Sequence, residues 1–169
     1  MILETNRLKL VPPAFTYVDT LFEIHHNPSN QKFNPKGPVE SLEEFKASYL
    51  TEWIEHYKKY GFGYYVVILK EDYEPIGVCG LRYKDIKGET YLNIYYRIDS
   101  QKTKNGYVFE ASTKVIEHVQ ELTNHQYKIV ALTQEENIPS IKTAESLGLK
   151  RDSTFDNYQE QGNVYYFSE

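Results

Sequence analysis

The chain has 169 residues, enough for one domain with a substantial core, and 40% of them are hydrophobic, with sixteen Tyr. Nineteen basic against 24 acidic residues give a formal charge of −5, which argues against nucleic acid as a partner, because a backbone-binding protein presents a basic surface. A single cysteine, Cys79, excludes an intramolecular disulfide and a cysteine-based zinc site, and the lack of an apolar leader or membrane-length run points to a cytoplasmic protein.

In chain order, Arg7 to Pro12 alternates apolar and polar residues as a half-buried strand should, and Phe15 to His26 has Val18, Leu21 and Phe22 at helical spacing. The stretch Asn27 to Pro38, rich in Asn, Pro and Gly, reads as a loop. Ser41 opens the next helix with Glu44 three residues on, as in a capping box. Its apolar face runs Leu42, Phe45, Tyr49, Trp53 and Tyr57, and Gly61 ends it.

Three antiparallel strands follow at Tyr64–Leu69, Ile76–Tyr83 and Tyr91–Ile98, with turns at Asp72–Pro75 and Lys87-Gly88. A helix from Gly106 to Leu122 turns Ala111, Val115, Ile116 and Val119 inward; a strand covers Lys128 to Leu132. A helix from Ile138 to Leu147 and strands near Lys150–Phe155 and Val164–Phe167 complete the order βααβββαβαββ. The expected fold class is therefore α+β: a mixed, mostly antiparallel central sheet of about seven strands flanked by about four helices, in one domain spanning residues 1–169.

Two places concentrate chemistry. Asn137-Ile138-Pro139-Ser140 starts a fully punctuated helix, with Asn137 as N-cap, Pro139 in the first turn and Gly148 as the stop. Asn137 and Ser140 put two polar side chains and free N–H groups at one point, which suits a ligand with amide or phosphate oxygens and equally suits plain capping. The second place is the junction from Ile98 to Gly106. There a strand gives way to Asp99-Ser100-Gln101-Lys102-Thr103-Lys104-Asn105 and a new helix, so helix N–H groups and two lysines converge on an anion. Neither a P-loop ending nor a Gly-x-Gly-x-x-Gly run is present, so a nucleotide-binding protein of another kind has little support.

Three segments resemble the GNAT N-acetyltransferases, in the branch of the ribosomal-protein N-terminal acetyltransferases (RimJ/RimL type). They are Asn137-x-x-Ser140 with Leu147-Gly148-Leu149, the opening Leu3-Glu4-Thr5-Asn6-Arg7-Leu8-Lys9-Leu10, and Gly106-Tyr107-Val108-Phe109-Glu110-Ala111. They lie in the family's order. The resemblance implies acetyl-CoA as co-substrate, with no metal, and transfer of its acetyl group to a primary amine by direct attack in a ternary complex. The acceptor would be a protein N-terminus or a small amine, and the protein a monomer or homodimer that binds neither nucleic acid nor membrane.

By the same resemblance, Lys102, Thr103, Lys104, Asn105, Gly106, Tyr107 and Val108 cradle the coenzyme pyrophosphate. Tyr96 and Ile98 offer main-chain contacts to the pantetheine arm and thioester, and Asn137 and Ser140 complete the coenzyme site. Thr103 replaces a Gln or Arg of the family pattern, Val108 a Gly or Ala, and Lys104 a glycine. The family's tyrosine acid falls at Ala144, which leaves Ser140 as the catalytic hydroxyl facing the sulfur. Tyr95 stands where glycine is frequent and either lines the acceptor pocket or fills core. No general base declares itself: Glu110 suits packing or capping, His25 and His26 read as surface histidines, and Cys79 as a buried structural thiol. Thr103, Val108 and Ala144 also fit an alternative, a GNAT-fold binding or regulatory module with weakened or lost turnover.

Overall fold

The computed structural model describes residues 1–34 and 37–169. Residues 35 and 36 of the expected Asn27–Pro38 loop lie outside the described residues. The strands are β1 (Leu3–Glu4), β2 (Leu8–Val11), β3 (Tyr64–Leu69), β4 (Pro75–Ile86), β5 (Glu89–Ile98), β6 (Ile129–Gln134), β7 (Lys150–Arg151) and β8 (Asn163–Phe167). The helices are α1 (Val18–His26), α2 (Leu42–Phe45), α3 (Thr51–Tyr60), α4 (Tyr107–Leu122) and α5 (Ile138–Ser146). A π turn, Lys46–Leu50, joins α2 to α3 in one continuous rod, so the long elements match the four helices expected.

The sheet has eight strands in the order β1-β2-β3-β4-β5-β6-β8-β7, one more than expected, because Leu3–Glu4 pairs back on Leu10 and Lys9. All pairs are antiparallel except β5 with β6. The expected strand Lys150–Phe155 stops at Arg151: the Asp152 carboxylate accepts from the Thr154 N–H at 3.0 Å and starts a 3-10 turn over Ser153–Phe155. Such local side-chain hydrogen bonds compete with a strand ladder. Between β4 and β5, Lys87 (φ 50°) and Gly88 (φ 81°) form a two-residue hairpin turn, whose positive φ angles give a twist that matches the right-handed twist of the strands.

Both faces of the sheet are covered. On one, Tyr65, Val67, Leu81, Leu92, Ile94 and Ile98 pack with Ala111, Val115 and Val119 of α4 and Ala144 of α5. On the other, Tyr64, Val66, Ile68 and Val78 pack with Leu21 of α1 and with Phe45, Leu50 and Trp53 of the α2–α3 rod. The period of two along each strand sorts the residues between faces, which is why all six residues of β3 are buried. At Gly80 of β4 a Cβ would lie 2.0 Å from the Gly63 carbonyl oxygen, so only glycine lets the two backbones cross there.

Candidate active site

The strand β5 leaves its neighbour halfway along. It pairs with β6 only at Leu92↔Ile129 and Asn93↔Val130, after which β6 continues against β8 alone. The Leu92 N–H donates to the Lys128 carbonyl at 2.9 Å, on the β6 side, while the Asp99 N–H donates to the Ile76 carbonyl, on the β4 side. Main-chain groups alternate sides along a strand. Those of Ile94, Tyr96 and Ile98 therefore face the wedge-shaped gap between β5 and β6. The gap is an open sheet edge inside the fold, ready to take an extended chain as an added strand.

Two segments border the gap. The first is the expected anion loop. Asp99 caps a 3-10 turn over Ser100–Lys102, and the Thr103 hydroxyl donates to the Ser100 carbonyl at 2.9 Å. The Asn105 amide donates to the carbonyls of Lys102 and Thr103. Side chains thus hold the loop from within. Lys104, at φ 67°, takes the left-handed conformation that a glycine would supply without strain. Gly106 (φ 78°) is the N-cap of α4, which begins one residue later than expected, and it has no side chain to occupy the first N–H groups of that helix. A Cβ on Gly106 would also come 3.4 Å from the Arg7 guanidinium. Lys102 reaches back to Glu74 at 3.8 Å, on the turn before β4. Val108 is half-buried and packs on the main core.

Arg7 is the cation at this loop that sequence reasoning left unassigned. Its guanidinium lies 4.4 Å over the Tyr107 ring and donates to the Glu110 carboxylate at 2.7 Å. The second Glu110 oxygen accepts from the Arg7 N–H at 2.9 Å and from the Thr5 hydroxyl. Hydrogen bonds from Thr5 and Arg7, together with the Arg7 charge, hold this carboxyl below its ordinary range against the opposing effect of burial. Glu110 is therefore a structural tie between the chain's opening segment and α4, as its capping-or-packing reading anticipated.

The second bordering segment is the start of α5. The Asn137 side chain caps it, accepting from the Ser140 N–H at 3.2 Å, with Pro139 in the first turn. The Ser140 hydroxyl oxygen lies 2.7 Å from the Tyr96 hydroxyl, and the phenol is also placed to donate to the Ser140 carbonyl at 3.2 Å. Burial raises the Tyr96 pKa, partly offset by hydrogen bonds with Ser140 and Thr143. Asn137, Ser140 and Tyr96 thus meet in one hydrogen-bonded group, with Ile98 two residues beyond on the same strand. Lys102–Val108 form the other border.

His25 corrects a sequence expectation: it is not a surface residue but 2% exposed, inside an aromatic box with Phe45, Trp53 and Tyr95. Its helical position looked solvated because the residues that cover it come from α2, α3 and β5. Nδ1 lies 2.8 Å from the Leu21 carbonyl and must donate, so Nε2 accepts from the Tyr95 hydroxyl at 3.1 Å. Burial, with the Arg97 charge nearby, lowers the His25 pKa to about 4, against the Leu21 hydrogen bond. His26 is exposed, with Nδ1 on the Val39 carbonyl. Tyr95 stacks on Tyr64 at 4.8 Å and is chiefly core, its hydroxyl committed to His25. Cys79 is fully buried beside Ser112, and burial pushes its thiol up to about 12, as befits a structural residue.

A parted strand pair, an uncapped helix start beside a cationic loop, and a serine held at the mouth meet at this one place. The chain belongs to the GNAT acetyltransferase family: residues 7–150 match the family's acetyltransferase (GNAT) domain. It is an acetyl-CoA-dependent N-acetyltransferase by that membership. YkkB of Bacillus subtilis (strain 168) is 27% identical over 119 residues, 68% of this chain and 68% of YkkB. Among solved structures, the acetyltransferase from Agrobacterium tumefaciens str. C58 superposes with a TM-score of 0.83 at 20% identity, covering 100% of this chain and 94% of that one. RimL, a ribosomal L7/L12 alpha-N-protein acetyltransferase solved with coenzyme A, gives 0.79 at 17% identity, over 99% of this chain and 97% of RimL. The fold is thus that of the RimJ/RimL branch as well as of the family at large. Among the described residues no helix is long and apolar enough to cross a membrane, and no group of three or more His, Cys, Asp or Glu could hold a metal.

Proposed function

We propose that residues 1–169 act as one cytoplasmic domain that acetylates a primary amine, a protein N-terminus or a small-molecule amine, by direct attack on acetyl-CoA in a ternary complex. The observation that carries this reading is the parting of β5 from β6 after Asn93, with Ile94, Tyr96 and Ile98 turning their main-chain groups into the gap. That edge fits a pantetheine arm, and the N–H groups at the start of α4, with Lys104 and Arg7 near, fit the pyrophosphate. Bound there, the coenzyme supplies an activated acyl group with a thiol leaving group. Main-chain N–H groups of β5 then stabilise negative charge on the acyl oxygen, and Ser140 faces the sulfur. Asn30, in the segment after α1, is tied to the end of β5 and to the loop beyond it: its side chain accepts from the Ser100 N–H at 2.6 Å, and Arg97 donates to its carbonyl.

The binding-module alternative loses support on two counts. Val108 spends its bulk on the core, and Tyr96 supplies a hydroxyl where Ala144 has none. Calorimetric titration with acetyl-CoA and free CoA, followed by screening of amines and N-terminal peptides for CoA release, tests the proposal. Micromolar binding with release on at least one acceptor is expected, and Asn137→Ala or Gly106→Trp should weaken binding without unfolding the protein. Absence of binding at millimolar coenzyme would refute the site.

A further inference from the structure

We propose that Tyr96 is a positioning residue for the departure of the thiol: its hydroxyl holds the Ser140 hydroxyl so that the serine proton points at the leaving sulfur. The inference rests on the acetyl-transfer reading above. Its ground is a juxtaposition that crosses the fold. Tyr96 belongs to β5 and Ser140 to the first turn of α5, yet their oxygens are 2.7 Å apart. Along β5 the Tyr96 side chain shares a face with Ile94 and Ile98, the face covered by α4 and α5. Ala144, one helical turn after Ser140, is 1% exposed and offers only a methyl group in the same cluster. The α5 helix therefore carries no phenol of its own, and the sheet provides one.

A serine and a tyrosine hydroxyl each bring one proton. The Tyr96 proton has two acceptors on Ser140, the hydroxyl oxygen at 2.7 Å and the carbonyl at 3.2 Å; directed to the nearer, it leaves the Ser140 proton free for a third partner. In the transfer, a C–N bond forms, the C–S bond breaks, and its electron pair leaves on sulfur. The hydrogen bond from Ser140 stabilises that charge, the amine gives its proton to solvent, and the thiolate is protonated from solvent. Neither Tyr96 nor Ser140 changes its protonation state. Burial, which raises the phenol's pKa, keeps Tyr96 a donor at mildly basic pH as well.

Tyr96→Phe keeps the ring and removes the hydroxyl. With the acceptor found in the screen, kcat of Y96F should fall about tenfold, the scale of one hydrogen bond to a charged group, with KM for acetyl-CoA within about twofold. Ser140→Ala should fall at least as far, and the double variant no further than S140A alone. A second readout needs no turnover. At the highest pH at which the fold stays intact, where the thiolate fraction is greatest, calorimetry compares CoA with desulfo-CoA. The wild type should favour CoA by about tenfold, and both variants should lose most of that preference. Full kcat in Y96F, additive losses in the double variant, or an unchanged CoA preference in Y96F would each overturn the proposal. So would tighter binding of both ligands by Y96F, which would make the Tyr96–Ser140 contact a barrier to entry. A wild type that transfers to no amine or peptide would overturn the acetyl-transfer reading, and this proposal with it; an active wild type beside an unimpaired Y96F overturns the proposal alone.

Discussion

Acidification should destabilise this protein through His25, well before its carboxylates begin to protonate. Burial first, then the Arg97 charge, hold the folded-state pKa at about 4 against an ordinary 6.5. The group's folded pKa lies below its unfolded value, so the unfolded chain takes up the proton first. Stability is therefore intact above pH 6.5 and lost as pH falls from there toward 4. A difference of about 2.5 units corresponds to about 3 kcal/mol in full, of which about 2 kcal/mol is already lost at pH 5. The comparison variant is His25→Phe, whose ring suits the box of Phe45, Trp53 and Tyr95. It loses the hydrogen bonds to Leu21 and Tyr95 at every pH, a cost of about 1–3 kcal/mol that does not depend on pH. Urea unfolding of both proteins at pH 8 and pH 5 isolates the effect. The stability advantage of the wild type over H25F should shrink by about 2 kcal/mol between the two. His56 and His118, which burial also lowers, are common to both proteins and cancel. An advantage that stays constant within about 0.5 kcal/mol would mean that His25 is solvated or already charged, and the box described above would be wrong.

Glu110→Gln should destabilise by about 2 kcal/mol at pH 7, a figure reduced from the usual worth of charged hydrogen bonds because Arg7 is partly exposed. In thermal melts that is a drop of about 4–8 °C. Because the Glu110 carboxyl is held below its ordinary 4.5, its contribution is present above pH 4.5, and the gap between the two proteins should close as pH falls below that. Lys104→Gly removes a side chain held at φ 67° and should stabilise by about 0.5–1 kcal/mol. The same change removes a cation from the anion loop, so affinity for acetyl-CoA should fall severalfold at low salt. Opposite signs in the melt and the titration are the expected pair. Val108→Ala should cost about 1 kcal/mol of stability through lost packing while leaving coenzyme affinity equal or tighter. A marked loss of affinity in that variant would mean that the loop geometry has been misread.

Most of the architecture was legible from local patterns. Alternation at Arg7–Pro12, and runs of Tyr, Val and Ile between turn residues in the middle of the chain, helped place six of the seven expected strands close to their bounds, and the caps at Ser41, Asn137, Gly61 and Gly148 mark helix ends that the structure retains. Where reading failed, a local hydrogen bond or a distant partner decided. Asp152 ended a strand that its composition would have continued. His25 sat at the end of an amphipathic helix and looked solvated, because nothing within ten residues announces the rings of Trp53 and Tyr95 that bury it. Glu110 and Arg7 were each visible in a motif, but their ion pair spans 103 positions, a separation that no spacing rule addresses.

The same limit explains the hydroxyl that seemed to be missing. A search confined to α5 finds Ala144 and stops there, since helical spacing links Ser140 only to residues of its own helix. Strand periodicity carried half of the answer: Tyr96 alternates with Ile94 and Ile98, so its ring had to lie on the face that α5 covers. What periodicity could not supply was depth along that face, and hence whether the phenol would reach Ser140 or stop short of it. The contact exists because β5 and β6 part after Asn93, which lets a side chain from one strand meet the helix that follows the other. If that is right, the gap that opens a sheet edge to the coenzyme also delivers the hydroxyl that serves it, and a substitution that re-pairs β5 with β6 would remove both together.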